Sequence, residues 1–336
     1  MSLMNKDIKS IAIVRLSALG DIVNSAVVLQ FIRKNYPDAK IEWVTEGVFS
    51  SILKNHPLLH KVHTLNLKKI KKEKKLSLLL QTIKEVRSIG NFDIIIDMQG
   101  LIKSALVTKF LGKNSHGFDK NSTRESLASL FYKTTSSISY ESNVVKRNSF
   151  VVADALGFDI SDTMLLNKQP IFEVTKKFEL KREKRAIAFV IGASWNSKIY
   201  PKELVLEVCE KLQEQIYIIW GSEKERENAE WISNRTQFAS LAPKLQLDEL
   251  VSFISAMDLL IGNDTGPTHM AWAQNIPSIT LFGPTTTRMI YETAINIGMK
   301  SPSEVDILKI DKNDFSIKEI DSSLIAKKAK ELLYGI

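Results

Sequence analysis

Residues 258–273 read DLLIGNDTGPTHMAWA and join a short apolar run, a polar turn and the start of a helix. Residues 259–261 are apolar and are closed by Gly262, which predicts a buried strand. Residues 263–265 are of types that cap helices, and Pro267 suits the first helical position because its missing N–H would have had no partner there. The stretch therefore predicts a strand–turn–helix unit of an α/β protein, with the helix starting at Pro267.

The chemistry of this turn favours an anionic ligand. The free N–H groups and the positive dipole end of a helix start attract a group such as a pyrophosphate, and His269 lies within the first turn. A carboxylate repels phosphate, so Asp264 is expected to cap the helix or to accept a hydrogen bond from a sugar hydroxyl. For the loop alone, a well-capped connection with His269 as an ordinary surface residue is the favoured interpretation, and the rest of the chain has to decide between the two.

The same rhythm of strand, loop and helix recurs along the chain. Further strands are predicted at residues 11–14, 41–45, 92–98, 186–191, 216–220 and 278–282. Parallel α/β sheets bind ligands beyond the carboxyl ends of their strands, which selects the loops at residues 15–21, 192–198, 220–227 and 263–269. We expect two doubly wound domains whose loops meet in one cleft. Since RLSALG at residues 15–20 has a single glycine, a dinucleotide-binding G-x-G-x-x-G loop is not present there.

Length and composition set the broad class. With 336 residues, 44% hydrophobic and 25% charged, the chain is expected to be a soluble protein of two domains, divided at 168/169 within a polar connection that extends to residue 185. No apolar run approaches the roughly 18 residues of a membrane-spanning helix, so we expect an intracellular protein, at most peripheral to a membrane. The single cysteine, Cys209, excludes an internal disulfide.

The positive charge is concentrated in the first half. Residues 1–168 contain 25 basic and 15 acidic side chains, whereas residues 169–336 contain 21 and 23, and residues 68–75 alone hold six lysines. Such a run is usually a solvated face or a mobile loop, but it also suits a clamp for phosphates or acidic sugars. A nucleic-acid binder is disfavoured because no aromatic residues are interleaved with the lysines.

Single residues at the predicted loops suggest roles, each with a structural alternative. Asp21 lies at a helix start, where an acid is favourable without any catalysis. Arg124 suits bidentate binding of a carboxylate or phosphate, or an ion pair at a helix start. Lys198 lies before a predicted helix and can neutralise a diphosphate, although an exposed lysine there is ordinary. The acids that open the next helix, one of which is expected to accept ribose hydroxyls, are Glu223, Glu225 and Glu227, with Glu225 as the candidate.

Six motifs together resemble the lipopolysaccharide heptosyltransferases of the ADP-heptose family. They are RLSALGD (15–21), DMQGLIKSA (97–105), TRESLASLFY (123–132), WGSEKE (220–225), NDTGPTHMAWA (263–273) and LFGPT (281–285). The resemblance covers nearly the whole chain. It implies a GT-B fold of two Rossmann-like domains facing a central cleft, with residues 1–168 binding the acceptor and residues 169–336 the nucleotide sugar. The C-terminal helix, near residues 322–333, is expected to pack back on the first domain.

The resemblance also implies an activity and a set of site residues. The reaction would be an inverting, metal-independent transfer of L-glycero-D-manno-heptose from ADP-heptose to the inner Kdo of Kdo2-lipid A, without a cofactor or nucleic acid, at the cytoplasmic face of the inner membrane. The residues implied are Asp21 as general base; Ser194, Lys198, Asp264, Thr265, Gly266 and His269 for the donor; and Lys68, Lys69, Lys71, Lys72 and Arg124 for the acceptor.

Departures from the family pattern keep alternatives open. Arg15 stands where lysine is frequent, and the acceptor cluster is rich in lysine instead of arginine, whose planar fork gives a different contact geometry. A later heptosyltransferase and another GT-B nucleotide-sugar enzyme, such as an epimerase, are the competing interpretations.

Overall fold

The structure of the protein is a computed structural model that describes residues 7–73, 75–180 and 183–335. The chain divides into two compact units, Met1–Ile171 and Phe172–Ile336. Hydrogen bonds follow the division: the backbone N–H of Gln169 donates to Gln30 Oε1 (3.0 Å) in the first unit, and that of Phe172 donates to Gln274 Oε1 (2.9 Å) in the second.

The charged run at residues 176–185 belongs to the second unit, where it was expected to be part of the connection. Lys176 Nζ lies 2.8 Å from Glu249 Oε1, and the backbone N–H of Thr175 donates to Ser252 Oγ at 3.0 Å. Lys176, at the start of this run, thus contacts a neighbouring helix, and the polar composition of the run does not indicate that contact.

The first unit is a six-stranded parallel sheet in the order β3-β2-β1-β4-β5-β6 with helices between the strands. The strands are β1 (Ser10–Val14), β2 (Lys40–Glu46), β3 (Lys61–Leu65), β4 (Ile94–Asp97), β5 (Ser115–Phe118) and β6 (Thr134–Ser136). The helices are α1 (Leu19–Ala26), α2 (Val28–Asn35), α3 (Ser51–Lys54), α4 (Leu67–Glu73), α5 (Leu76–Ser88), α6 (Ile102–Leu111), α7 (Val144–Leu156) and α8 (Asp162–Leu166), with 3-10 turns at Gly47–Phe49 and Ser126–Phe131.

The second unit repeats this order as β12-β11-β10-β7-β8-β9, again all parallel. Its strands are β7 (Ala186–Val190), β8 (Gln215–Ile219), β9 (Ala239–Leu241), β10 (Leu259–Asn263), β11 (Ser278–Phe282) and β12 (Asn296–Lys300). Its helices are α9 (Lys202–Leu212), α10 (Glu223–Ser233), α11 (Leu247–Ser255), α12 (Gly266–Ala273) and α13 (Ser322–Tyr334), with 3-10 turns at Asn196–Lys198, Thr287–Met289 and Ser316–Glu319. The prediction of two doubly wound α/β units is confirmed.

Strand order fixes where each unit has its crevice. In such sheets ligands bind where the chain reverses its direction of travel across the sheet, beyond the carboxyl ends of the two central strands. Those strands are β1 and β4 in the first unit and β7 and β10 in the second. The loops that follow them are therefore the places to look for a site.

The central strands are buried on both faces, which explains their continuous apolar runs. Separate clusters form the cores, around Val14, Val44 and Ile95 in the first unit and around Phe189, Val208 and Ile261 in the second. No helix in the described ranges has the length and apolar character of a membrane span.

The C-terminal helix α13 makes its strongest contact with α9, and Ile325, Ala326 and Ala329 lie in the core of the second unit. Lys211 Nζ, on α9, donates to Ser322 Oγ at 2.6 Å. These contacts all lie within the second unit, and the expected packing of this helix on the first domain stays a prediction.

Several elements differ from the sequence predictions. Apolar residues at helical spacing predict one helix over residues 21–35, but the structure forms two, α1 and α2. Strands β3, β5, β6, β9 and β12 were not predicted because polar residues or glycine break the apolar pattern in these strands, which lie toward the sheet edges. Pro201 suits the first position of a helix, but the structure makes it the N-cap of α9, which begins at Lys202. The lysine run is helical over α4, not a mobile loop.

Candidate active site

The loop after β10 is built around the buried carboxylate of Asp264. Its Oδ2 lies 2.6 Å from Lys198 Nζ and accepts a hydrogen bond from Thr285 Oγ1 (2.9 Å), and its Oδ1 lies 3.1 Å from His269 Nε2. Burial raises the pKa of Asp264, but the charge of Lys198 and the hydrogen bond from His269 together lower it by more than burial raises it. The net pKa therefore lies well below its ordinary value. The carboxylate is therefore ionised and fully engaged with cationic and hydroxyl groups.

These contacts correct one expectation, because Asp264 does not cap α12. The N-cap is Thr265, whose backbone carbonyl accepts from the N–H groups of Thr268 (3.1 Å) and His269 (3.3 Å). Gly266 is the first residue of α12, one position before Pro267. Hydrogen bonding of Asp264 to a sugar hydroxyl stays a prediction.

Lys198 reaches Asp264 because the loop after β7 folds onto β10. Asn263, at the end of β10, donates from Nδ2 to the carbonyl of Ile191 (3.0 Å) and accepts from the backbone N–H of Tyr200 (3.0 Å). The ammonium of Lys198 is buried and lies 5.0 Å from the centre of the Trp195 ring. Asn263 thus joins the loops that follow β7 and β10 through its side-chain hydrogen bonds. From the sequence, Asn263 was expected only to be a helix-capping residue.

Glu225 joins this group from the start of α10. Its Oε2 accepts the backbone N–H of Gly221 at 2.7 Å and, in a capping box, that of the N-cap residue Ser222 at 3.2 Å. A Cβ on Gly192 would lie 2.5 Å from Glu225 Oε1, so that the absence of a side chain at Gly192 admits the carboxylate to the loop after β7. Glu223 instead lies 3.5 Å from Arg226. Of the acids at this helix start, Glu225 is the one that faces the loop, while Ser194 is exposed within it.

The structure brings three predicted loops together in the second unit, those at residues 192–198, 220–227 and 263–269. Each starts at the carboxyl end of a strand of one parallel sheet, and the start of α12 faces the same edge. The arrangement offers free N–H groups, a buried ammonium and an acid, which suits a nucleotide with a diphosphate. Ribose and diphosphate contacts of the individual side chains stay predictions.

In the first unit, Asp21 lies in the first turn of α1 at the corresponding switch point. Its Oδ1 lies 2.7 Å from Arg15 Nη2, and its Oδ2 accepts the backbone N–H of Ala18 at 3.1 Å. Arg15 is buried and donates its other terminal nitrogen to the carbonyl of Met98. The carboxylate is partly exposed and held from both oxygens, as an oriented acid–base group requires.

Two polar side chains that sequence reasoning passed over support this loop. Lys103 Nζ donates to Ser17 Oγ at 2.8 Å and lies 3.4 Å from Glu46 Oε1. Gln99 Oε1 accepts the backbone N–H of Leu16 at 2.9 Å. Both residues belong to the DMQGLIKSA motif after β4, and the strand order 1-4 that makes them neighbours of residues 15–21 was the missing information.

Asp97, the last residue of β4, positions the Gln99 turn from within the core. Its Oδ1 accepts the backbone N–H groups of Gln99 (2.7 Å) and Gly100 (3.2 Å), and Tyr132 Oη donates to its Oδ2 at 2.7 Å. Burial raises the pKa of Asp97 above its ordinary value, although these hydrogen bonds lower it in part. Gly100 has φ of +67°, which favours glycine at this turn.

The predicted acceptor residues lie after β3 and β5, at the carboxyl edge of the first sheet. Lys68, Lys69 and Lys72 are exposed on α4, and Lys68 Nζ lies 5.8 Å from the centre of the Phe49 ring. Arg124 is exposed, and no salt bridge joins it to an acid in the described parts of the chain. The side chain predicted at Lys71 lies outside the described residues.

Within residues 7–73, 75–180 and 183–335, no three His, Cys, Asp or Glu side chains come together as candidate metal ligands. In the described loops at the two switch points, positive charge comes from the side chains of Lys198 in the second unit and of Arg15 and Lys103 in the first.

Comparison with known proteins identifies the family. A model of glycosyltransferase family 9 (heptosyltransferase) matches residues 79–303. Lipopolysaccharide heptosyltransferase 1 of Campylobacter coli is 40% identical over 96% of this chain and 98% of its own length, and the protein of that name from Escherichia coli K12 is 27% identical over 83% and 89%.

Solved structures agree on the fold. E. coli heptosyltransferase WaaC with ADP-2-deoxy-2-fluoro heptose superposes with a TM-score of 0.78 at 23% identity, covering 96% of this chain and 99% of that one. The family 9 glycosyl transferase from Veillonella parvula superposes with a TM-score of 0.81 at 19% identity, covering 99% of each. With its two doubly wound sheets and its match to the family model, the chain has the GT-B fold and belongs to glycosyltransferase family 9, the heptosyltransferases.

Proposed function

We propose that this enzyme transfers L-glycero-D-manno-heptose from ADP-heptose to the inner Kdo of Kdo2-lipid A, in the biosynthesis of the lipopolysaccharide inner core. The observation that carries the proposal is the likeness to the Campylobacter coli heptosyltransferase along nearly the full length of both chains. The polar groups at the switch points of both units support it, since they provide a carboxylate in one unit and a diphosphate cradle in the other.

The proposed reaction is a displacement with inversion at the anomeric carbon. The acceptor hydroxyl oxygen forms the new bond to that carbon while the bond from the carbon to the diphosphate oxygen breaks, and ADP leaves with the bonding electrons. The hydroxyl proton passes to Asp21. Arg15 and the Ala18 N–H fix the direction of this carboxylate, and its partial exposure leaves it accessible to an acceptor.

The second unit is proposed to bind the donor and to stabilise the leaving diphosphate. An ammonium carries three N–H groups, so the contact of Lys198 with Asp264 leaves others for phosphate oxygens. The free N–H groups at the start of α12, from Thr265 and Gly266, add a second source of positive potential. Ser194 and Glu225 are the proposed contacts to the rest of the nucleotide sugar, and His269 acts by holding Asp264.

Positive charge supplied in this way is proposed to make a metal ion unnecessary. The acceptor is proposed to bind the first unit through its lysines and arginine, whose charges complement the anionic Kdo and lipid A phosphates; these residues are Lys68, Lys69, Lys71, Lys72 and Arg124. Such an acceptor places the enzyme at the cytoplasmic face of the inner membrane.

A product assay with three parallel reactions tests the proposal. ADP-heptose is supplied with Kdo2-lipid A, with Kdo2-lipid A that already carries one heptose, or without acceptor, and the products are identified by mass spectrometry. We expect one heptose to be added to Kdo2-lipid A and little reaction in the other two. Transfer only to the heptose-bearing acceptor would indicate a later heptosyltransferase, and turnover without acceptor would indicate a hydrolase or an epimerase.

A further inference from the structure

Helix α5 exposes leucines on one side of its first two turns. Leu76, Leu79 and Leu80 are 69%, 42% and 52% exposed. The spacing i, i+3, i+4 places them on one helix face. The part of the helix that packs on the unit is its C-terminal end, marked by the buried Val86 and the partly buried Ile89, so the leucines of the first two turns are left uncovered. Single exposed leucines are common on protein surfaces, whereas three on one short face form an apolar patch.

Exposed lysines directly precede this patch along the chain. Lys69 and Lys72 are exposed on α4, which immediately precedes α5. Lys75 is the N-cap residue of α5, and its exposed ammonium lies 3.1 Å from Glu73. We call the six residues Lys69, Lys72, Lys75, Leu76, Leu79 and Leu80 the α4–α5 surface. An apolar helix face bordered by lysines is the pattern of segments that lie in the interface of an anionic bilayer.

The position of the α4–α5 surface follows from the topology. Helix α4 directly follows β3, so it lies at the carboxyl edge of the first sheet, and α5 begins at that edge. Asp21 follows β1 at the same edge. The apolar exposure continues next to α4, since Val48 is exposed and Lys68 of α4 lies over the ring of its neighbour Phe49.

Exposed leucines also occur on the elements next to α5. Helix α6 packs against both α5 and the 3-10 turn at Ser126–Phe131. It carries the exposed Leu106, and the 3-10 turn carries the exposed Leu127 and Leu130. Six of the seven exposed leucines in the described part of this unit thus lie on three neighbouring elements, and the seventh, Leu166, lies on α8.

We propose that the α4–α5 surface docks the enzyme on an anionic phospholipid bilayer, with the three leucines among the lipid headgroups and the lysines against lipid phosphates. Charge complementarity favours this partner: the lysines match an anionic plane, and the leucines add contacts that a purely ionic partner such as a nucleic acid would leave unused. The link to catalysis, but not the docking itself, rests on the proposed function. A bilayer at this surface presents a lipid-linked sugar to the sheet edge that holds Asp21.

Vesicle binding tests the docking without donor or acceptor. The full chain is sedimented with vesicles of phosphatidylglycerol and phosphatidylcholine, and with vesicles of phosphatidylcholine alone. We expect binding to the anionic vesicles that weakens with salt, and a loss of roughly tenfold or more in L76Q/L79Q/L80Q because apolar contact is removed. The matched control is L308Q/L324Q, which alters leucines of the second unit that are 61% and 45% exposed and should bind as the native chain does.

A fluorescent label tests the depth of the leucine face directly. The single native cysteine, Cys209, is buried, and burial raises the pKa of its thiol to about 12, so that a probe attaches selectively to an introduced cysteine. An environment-sensitive probe on Leu80→Cys should brighten and shift to the blue with anionic vesicles, while the same probe on Leu308→Cys should not.

Three results would overturn the docking proposal: equal vesicle binding by L76Q/L79Q/L80Q and the native chain, an unchanged Leu80→Cys probe, or lipid-independent self-association that L76Q/L79Q/L80Q abolishes. Unfolding by urea is measured for all variants to confirm that each is folded. Transfer is assayed separately with acceptor dispersed in detergent. Failure of transfer there counts against the proposed function alone, and failure of vesicle binding counts against the docking alone.

Discussion

Replacing Asp264 by Asn removes one charge from a buried cluster and leaves the size of the side chain nearly unchanged. Lys198 and Asp264 are both almost fully buried and lie 2.6 Å apart. Removing one partner of a buried ion pair strands the other charge, which typically costs about 3–5 kcal/mol. Since domains are stable by only about 5–15 kcal/mol, we expect a large fall in the stability of the second unit.

Replacing Lys198 by Met should lower the stability less than Asp264→Asn does. In Lys198→Met the carboxylate of Asp264 keeps its hydrogen bonds from Thr285 and His269, whereas in Asp264→Asn the ammonium keeps only a weakened acceptor. The double variant carries no stranded ammonium. It should therefore be more stable than the sum of the two single losses implies, by a coupling of about 1–3 kcal/mol.

Urea unfolding followed by tryptophan fluorescence measures these losses, because four of the five tryptophans lie in the second unit; they are Trp195, Trp220, Trp231 and Trp272. The matched control is Glu249→Gln, which breaks an exposed pair with Lys176 in the same unit and should change the transition little. If Asp264→Asn destabilises no more than this control, or if the losses add without coupling, the Lys198–Asp264 pair does not organise this site.

The stabilisation has a defined pH dependence. The pKa of Asp264 is lower in the folded chain than its ordinary value of 3.8, so the unfolded chain binds more protons as the solution becomes acidic. The Lys198–Asp264 pair makes its full contribution to the free energy of unfolding above pH 3.8, and this contribution is lost as pH falls from there toward the pKa of the folded chain. In Asp264→Asn this part of the acid dependence should be missing.

Three further predictions concern other parts of the chain. Changing Lys68, Lys69 and Lys72 together to Ala should raise the acceptor KM strongly, leave the donor KM nearly unchanged and weaken the salt dependence of activity. Unchanged acceptor kinetics would mean that these lysines only form a solvent-exposed face of α4. Lys198→Ala should lower kcat because charge on the departing ADP is uncompensated, while excess EDTA should leave the native enzyme active; activity that is lost in EDTA and restored by a divalent ion would rule out the metal-free mechanism. Burial lowers the pKa of His56 from 6.5 to about 4, so as pH falls the unfolded chain takes up a proton on this ring before the folded chain does. Between pH 6.5 and 4, the free energy of unfolding measured in urea titrations should therefore fall by about 3 kcal/mol more in the native chain than in His56→Gln. Equal decreases in the two chains would show that the ring is charged in the folded state.

The sequence indicates where the candidate sites lie because polar motifs directly follow buried strands. The loops at 15–21 and 263–269 come after continuous apolar runs, and in a parallel sheet all such loops share one edge. What could not be predicted is which loops are neighbours. Lys198 and Asp264 are 66 residues apart, and they meet only because β7 and β10 pair in the centre of the sheet.

Helix α5 shows a different limit. Apolar residues recur at helical spacing at positions 76, 79, 83, 86 and 89, a pattern that predicts a helix. The helix is present as α5, but only part of this apolar face is buried. Val86 and Ile89 pack inward, whereas Leu76 and Leu79 are exposed. Periodicity identifies a helix, but it does not distinguish apolar residues that pack on a core from apolar residues that stay exposed.

The central claim is that a carboxylate of the first unit activates the acceptor, and kcat of Asp21→Asn tests it most directly. The measurement uses saturating ADP-heptose and Kdo2-lipid A in excess EDTA, with ADP affinity and urea unfolding as controls for the loss of the Arg15 contact. Asn keeps the size of the side chain and can still accept the Ala18 N–H, but it cannot take a proton. We predict that ADP affinity is retained while kcat falls by roughly 10²–10⁴. A folded Asp21→Asn enzyme with near-native kcat would contradict the account and would reduce Asp21 to a helix-capping residue.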